Sequence, residues 1–495
     1  MATAAKVKDL VVVIPGALGS RLFWAGQPLW GDGSTSFLQW LRQRGGDLGR
    51  LAVGGDDPTV DDLGDGISAE GLVESPLVVG RFLKVSGYGP LLHHLERTLR
   101  LRRGENLRVY AYDWRRDLRV AVRRFTGCVE GWLREWRERS GYGDAKIVLI
   151  GHAMGGLIAR YWVDVEGGWR SVRRIIAIGT PYLGSIRALD VLYFGLDFQS
   201  YGLPLHDLTP VARTLTSLYQ LLPQYPSIRT FSGQLVSPFE MRIPTFDHQK
   251  MERARQFHRD LVDHNHRARA EAGYSAMAST VIAGVGQPTV EEARLLPNGM
   301  LSVDQDVFEQ ATDGDGSIPR FSAEAETHGS FQSHSIYVPQ LHGALASDPA
   351  VHLHLGELLR ERTSDPHRDG VPLPRFTLRR LTDGRLRVHA DALSLHVARP
   401  YYRAGQVIEL RVGARTATGD PFDARAVKLR LAVEAAGSAA KRRRGFALRP
   451  APIRGRPGWF SAKLKAPPPG TYRVTAASAD RLLSAFPVSD LFEVY

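Results

Sequence analysis

Five short runs of aliphatic and β-branched residues mark the N-terminal part of the chain: Val11–Ile14, Val109–Tyr112, Ile147–Ile150, Ile175–Ile178 and Val281–Val285. Nearly every position in them is apolar. Strands covered on both faces read this way, and such strands belong to a parallel sheet. A sixth run, Ser335–Val338, follows. Helical patterns separate the runs, so the alternation predicts a doubly wound α/β sheet. Between Ile178 and Val281 lie about a hundred residues, far more than a loop needs. This segment holds Tyr201–Leu205, the helical stretch Leu215–Leu222 and the charged helical stretch Gln249–Ala272. It reads as a cap inserted over one edge of the sheet. A second insertion, from about Gly31 to Gly87, is irregular and rich in Gly and Asp. The first domain is expected over residues 1–363, with insertions at about 25–87 and 186–278.

The pattern changes after Thr363. Asp365-Pro366, Asp369-Gly370 and Pro372-Leu373-Pro374 punctuate a linker over 364–375. Short alternating runs then follow at Leu386–Val388, Val407–Val412, Val427–Val433, Phe460–Leu464 and Tyr472–Ala476. Turn residues such as Thr382-Asp383-Gly384 and Pro467-Pro468-Pro469-Gly470 separate them. Period-two alternation with regular turns predicts a C-terminal all-β sandwich over 376–495.

Composition narrows the classes. The 495 residues are 43% hydrophobic and 23% charged, which excludes disorder as the main state. No stretch reaches the ~20 apolar residues of a membrane span. The N-terminal run Leu10–Ile14 is too short for a signal-peptide core of ~7–15 residues. The lone thiol, Cys128, forms no intrachain disulfide and reads as a structural residue among helical neighbours. A cytoplasmic location is expected. The net charge of +12 comes mostly from scattered arginines such as Arg115, Arg116, Arg119, Arg123 and Arg124. Only Lys441-Arg442-Arg443-Arg444 forms a dense run, read as a solvated loop with transient contact to an anionic membrane left open. No zinc-finger spacing, interleaved aromatic motif or phosphate loop occurs, so no nucleic-acid partner is expected.

Candidate chemistry centres on Ile147 to Arg160, where a buried strand meets a helix through Gly151-His152-Ala153-Met154-Gly155-Gly156. This is the setting of a nucleophile elbow, in which a serine occupies a strained turn between flanking glycines. Gly151 and Gly155 supply the glycines, and the central position holds Ala153 instead of serine. In hydrolases of this layout the chain order is nucleophile, acid, histidine. Asp315, in the Gly-rich loop Asp313-Gly314-Asp315-Gly316-Ser317, is the candidate acid, with Asp313 in reserve. His342 directly follows the sixth run and is the candidate general base. His334 reads as a surface residue, His93 and His94 as helical ones, and His152 as directed away into the structure. An oxyanion hole needs two backbone donors. Met154, after the nucleophile position, and Ala17, in the loop Pro15-Gly16-Ala17-Leu18-Gly19, are the candidates.

Several of these segments carry a resemblance. Val13-Ile14-Pro15-Gly16-Ala17-Leu18-Gly19-Ser20-Arg21-Leu22 is similar to the opening motif of the lecithin:cholesterol acyltransferase family. So are Tyr112-Asp113-Trp114-Arg115, Ile178-Gly179-Thr180-Pro181 with Gly184-Ser185, and Leu221-Leu222-Pro223. Asp315-Gly316-Ser317-Ile318-Pro319 and Leu341-His342-Gly343 complete the set, which spans roughly residues 8–360. The resemblance implies an α/β-hydrolase fold with a cap and lid. It implies acyl-ester chemistry through an acyl-serine on phospholipids or other lipid esters, with no metal or cofactor. Asp113-Trp114-Arg115 is then a structural motif near the site. The chain departs from the family at Ala153, and at Tyr182, where histidine is common after Thr-Pro. It also departs in lacking the disulfides and secretion signal of the animal members and in adding the sandwich.

Alanine has no oxygen, so no acyl-enzyme can form on this chain. By the subtilisin precedent, loss of the serine lowers kcat on the order of 10⁶-fold. A lipase, esterase or acyltransferase inactivated by an engineered serine-to-alanine change is the favoured reading, because acid, base, glycines and oxyanion loop all stand. The alternative is a natural pseudo-hydrolase that acts as a binding or regulatory module.

Overall fold

In the computed structural model, one six-stranded sheet takes in five of the six runs and the first residue of the run at Val109. The described residues are 7–31, 45–80, 83–196, 207–303, 313–325, 333–360, 376–380, 386–390, 392–416, 420–422, 427–436, 445–478 and 487–495. The strands are β1 (Leu10–Ile14), β2 (Leu107–Val109), β3 (Ile147–His152), β4 (Val172–Ile178), β5 (Ala278–Gly284) and β6 (Ser333–Val338). Their order is β6-β5-β4-β3-β1-β2, and every pairing is parallel. All five residues of β1 and all six of β3 are buried, which is why both runs are apolar throughout. The chain order reverses at β1, which lies between β2 and β3. Open α/β sheets offer their ligand crevice at the carboxyl ends of strands beside such a reversal.

Helices α1 (Gly89–Arg97), α2 (Leu118–Ser140) and α3 (Met154–Asp164) flank the sheet. Asp117 caps α2 by accepting from the Arg119 amide at 3.0 Å. The arginines around this cap tie down the first insertion. Arg115 pairs with Asp65 and Asp113, Arg116 with Asp56, and Arg123 with Asp61. Much of the basic character near residue 115 is therefore internally neutralised. Helix α4 (His248–Arg269) packs on α3, with the Phe257 ring stacked on Tyr161 at 4.8 Å.

Several expectations need correction. The run Val109–Tyr112 is a strand only up to Val109. Beyond it the Tyr112 amide donates to Ser20 Oγ and its hydroxyl to the Pro15 carbonyl, so the chain leaves the sheet to brace the loop after β1. Leu215–Leu222 is helical only over Thr216–Tyr219, because Leu215 is extended and splits it from a preceding helix, Thr209–Thr214. The segment 31–87 is not wholly irregular. Ile67–Leu72 joins Ser20–Trp24 and Gln27–Trp30 in an antiparallel sheet, and Leu77–Val79 pairs with Leu83–Val85. The Gly and Asp content of that segment masks these short strands. Tyr201–Leu205, the linker 364–375 and Lys441–Arg444 lie outside the described residues.

The C-terminal part is all-β. A hairpin, Phe376–Arg380 with Leu386–Ala390, precedes two facing sheets. Their strands are β7 (Ala392–Val397), β8 (Tyr401–Tyr402), β9 (Val407–Arg415), β10 (Leu429–Ala435), β11 (Phe446–Leu448), β12 (Ala451–Pro452), β13 (Trp459–Lys465), β14 (Gly470–Ser478) and β15 (Val488–Val494). One sheet runs β7-β9-β13-β12 and the other β8-β15-β14-β10-β11. Leu395, Leu410 and Val412 from the first meet Leu431, Val474 and Phe492 from the second in a shared core. This is an α/β-hydrolase fold followed by a β-sandwich. No helix among the described residues is long and apolar enough to cross a membrane.

Candidate active site

The β3–α3 junction is a sharp turn. Ala153 has φ +49° and ψ −122°, a conformation that a residue with a β-carbon rarely adopts. Its amide donates to the Ile178 carbonyl on β4 at 2.8 Å, and its carbonyl accepts from the Gly156 amide at 3.0 Å. Tight packing forces the glycines. A β-carbon on Gly151 would stand 2.6 Å from the Gly156 Cα, and one on Gly155 would fall on the Ile14 carbonyl oxygen. The helix thus approaches the ends of β1 and β3 at backbone contact distance.

The loop after β1 runs over this turn. A β-carbon on Gly16 would lie 2.9 Å from the Ala153 Cβ. Three side chains hold the loop. Tyr88 Oη accepts from the Gly16 amide at 2.7 Å, Tyr112 Oη donates to the Pro15 carbonyl at 2.9 Å, and Trp30 Nε1 donates to the Leu18 carbonyl at 2.9 Å. The amides of Ala17 and Met154 have no acceptor among the described residues. Two free donors at adjacent strand ends can receive an oxyanion.

Asp315 is buried, and its Oδ2 lies 2.7 Å from His342 Nδ1. Its Oδ1 accepts from the Ser317 and Ile318 amides at 3.0 and 2.6 Å, while its carbonyl accepts from the His342 amide at 2.8 Å. These bonds hold the carboxylate in place and aim one oxygen at the imidazole. A carboxylate partner assigns the proton to Nδ1, which leaves Nε2 as a base. Asp313 does not share this position. It forms an ion pair with Arg320 at 2.8 Å.

His152 departs from its sequence reading. Its ring is stacked on His342, with centroids 5.3 Å apart, and its Nδ1 lies 2.8 Å from Tyr88 Oη. Burial, and secondarily the neighbouring His342, push its pKa down to about 3. The ring is therefore neutral and packs against His342. His334 is half-buried rather than a surface residue. His94 stacks on His352 away from this cluster. Cys128 sits on α2, half-buried, with its thiol directed at the Phe125 carbonyl. Sequence reasoning missed Tyr88, Tyr112 and Trp30, because nothing local in the chain signals a bond to a loop some ten to a hundred residues away. The chance to notice His152 was better, since it adjoins position 153.

The sheet, the turn at position 153 and the strand-end loops define an α/β-hydrolase. The profile of the lecithin:cholesterol acyltransferase family matches residues 82–354, more than half of the chain. The chain belongs to that family. Ala153, Asp315 and His342 lie inside the matched segment, and the loop Pro15–Gly19 precedes it. A search of curated proteins returned no match. Among solved structures, the Tle4–Tli4 complex aligns at 15% identity and TM-score 0.47, covering 71% of this chain and 98% of that one. The propeptide form of the Bacillus licheniformis lipase BlEst2 aligns at 12% identity and TM-score 0.31, covering 97% and 73%. Phospholipase PlaB from Legionella pneumophila aligns at 10% identity and TM-score 0.35, covering 97% and 90%.

Proposed function

We propose that this chain is a lipid-ester hydrolase or acyltransferase of the acyl-serine type, silenced at its nucleophile position by Ala153. The observation that carries the reading is the 2.7 Å contact between His342 and the buried Asp315, formed beside a turn with φ +49°. In the serine form, His342 Nε2 takes the hydroxyl proton as the oxygen attacks the ester carbonyl. The amides of Ala17 and Met154 hold the resulting oxyanion. Collapse expels the alcohol, which leaves with the proton from His342. Water or an acceptor alcohol then gives its proton to His342 and takes the acyl group, and His342 returns that proton to the departing serine oxygen.

Ala153 removes only the attacking oxygen. The positive φ, the glycines, the acid and the base all remain, which supports a replaced serine over a site that drifted. The alanine itself supports a second reading, a retired site that binds acyl esters without cleaving them. One variant separates the two. Ala153→Ser is expected to hydrolyse short-chain nitrophenyl esters with kcat raised ~10³–10⁶-fold over the chain as given. Adding His342→Ala is expected to return the rate to baseline. A folded Ala153→Ser variant with no gain in turnover overturns the hydrolase reading and leaves the binding one.

A further inference from the structure

Asp315 sits on a loop and His342 opens the short helix His342–Leu345, and near each a buried glutamine also reaches the β-sandwich. Gln287 pairs in register with Asp315, and its amide donates to the Gly314 carbonyl at 3.0 Å. Its side chain reaches the other way. Oε1 accepts from the Leu395 amide at 3.2 Å, and Nε2 donates to the Leu393 carbonyl at 2.9 Å. Those two residues alternate along β7, the outer strand of its sheet. The carboxamide therefore takes the place of a neighbouring strand, meeting one N–H and one C=O of the exposed edge.

Gln340 stands two residues before His342. Its Oε1 accepts from the Leu341 amide at 2.9 Å and from the Ser489 amide of β15 at 3.0 Å. Its Nε2 donates to Asp348 Oδ2 at 2.8 Å and to the Pro487 carbonyl at 3.3 Å. Every hydrogen-bonding position of this carboxamide is used, half of them on the sandwich. Leu341, between Gln340 and His342, packs against the sandwich core. Strands β8 and β15 of the sandwich also meet the paired strands Leu77–Val79 and Leu83–Val85. Tyr401 Oη accepts from the Gly80 amide and donates to the Val78 carbonyl, and Lys84 pairs with Asp490 at 2.8 Å. Beyond Lys84, the Ser86 amide donates to the Gly343 carbonyl at 2.9 Å.

A tethered binding module could touch the hydrolase domain anywhere. This one places buried polar contacts beside Asp315 and His342 as well as on Val78 and Gly80. We propose that the β-sandwich is a positioning element of the active site, and that Gln287 and Gln340 are the positioning residues through which it fixes Asp315 and His342. The proposal rests on the reading of those two residues as acid and base. A displacement of about 1 Å in such a group can lower turnover on the order of a hundredfold, so a brace at this place bears directly on rate.

The test has an arm that needs no activity. In the chain as given, the His342 Nδ1 proton held by Asp315 is read as a far-downfield proton NMR resonance, assigned by its loss in His342→Ala. Gln287→Leu and Gln340→Leu are expected to shift or broaden it and to speed its exchange with water at least ~10-fold. If either fails to fold, Gln287→Asn and Gln340→Asn keep the amide but withdraw it by one methylene, and the same change is expected. In the Ala153→Ser background the same variants are expected to lower kcat ~10-fold or more while KM stays within about twofold. Tyr472→Phe, which removes a bond to the Pro468 carbonyl inside the sandwich, is the control for general loosening and is expected to leave kcat unchanged. An unchanged resonance and kcat in all glutamine variants overturns the proposal. An inactive Ala153→Ser variant would sink the hydrolase reading alone, because the resonance arm stands without it.

Discussion

Ala153 shows how the surroundings can impose a backbone that the residue itself disfavours. A positive φ at a residue with a β-carbon costs of order 1–3 kcal/mol and persists only where neighbours over-determine it. Here the bonds to Ile178 and Gly156, with the glycine contacts below, do so. Tyr88 plays a comparable part in the loop above. Burial pushes its phenol pKa above the ordinary value of 10.0, so the hydroxyl stays protonated. His152, held neutral, can accept that proton's hydrogen bond at Nδ1. The direction of the chain is then fixed: the Gly16 amide donates to Tyr88, and Tyr88 donates to His152. Tyr88→Phe strands two buried groups at once. Stability in urea is expected to fall by ~1–3 kcal/mol, and kcat in the Ala153→Ser background to fall with KM held, because the Ala17 amide loses its support. A loss within ~0.5 kcal/mol would show that the hydroxyl carries no such load.

Among the elements, α4 packs on α3, and it carries a pH dependence. His258 on this helix is buried, with Nε2 2.8 Å from the Gln220 carbonyl, and burial pushes its pKa down to about 4. In the unfolded chain the same ring titrates near 6.5. Between those values the unfolded state binds a proton that the folded state refuses. Stability is therefore full above pH 6.5 and declines as pH falls toward 4, by up to about 1.4 kcal/mol per pH unit for one such ring. His152 acts in the same direction. His258→Gln is expected to flatten the decline of the thermal midpoint between pH 6.5 and 4; an unaltered slope would place the acid sensitivity elsewhere. At this scale β1, β3 and the carboxyl-end halves of β4 and β5 were readable, because burial on both faces leaves an unbroken apolar run; β2 was misplaced, since Arg108 interrupts it and the run read for it overlaps it only at Val109. Ala392–Val397 and Val488–Val494 were missed. The first alternates in period two, with Ser394 and His396 between Leu393, Leu395 and Val397, so its signal was present and passed over; the second sets Ser489 beside Asp490 and Leu491 beside Phe492, which breaks the alternation. Asp490 meets Lys84 across the domain boundary, so part of that break is written by a contact with the other domain.

For the whole molecule, internal ion pairs leave the net charge of +12 unchanged but withdraw some of its arginines from the surface. Arg115 and Arg116 are buried against Asp65, Asp113 and Asp56, and hold the first insertion on α2 rather than offering a basic surface. The candidate site was legible as far as its members stand at strand ends in a fixed chain order: position 153 after β3, Asp315 beyond β5, His342 after β6. Its supports were not, because Tyr88, His152, Gln287 and Gln340 take their roles from partners far along the chain, and Gln287 and Gln340 from another domain. The central claim is that everything but the nucleophilic oxygen is in place. Its most direct test is covalent labelling by a fluorophosphonate, read by intact mass for Ala153→Ser beside the chain as given. One adduct per chain is expected in the serine variant, none in the alanine chain, and loss of the adduct when His342→Ala is added. A folded serine variant that takes no adduct, under conditions that label a known serine hydrolase, would contradict the claim.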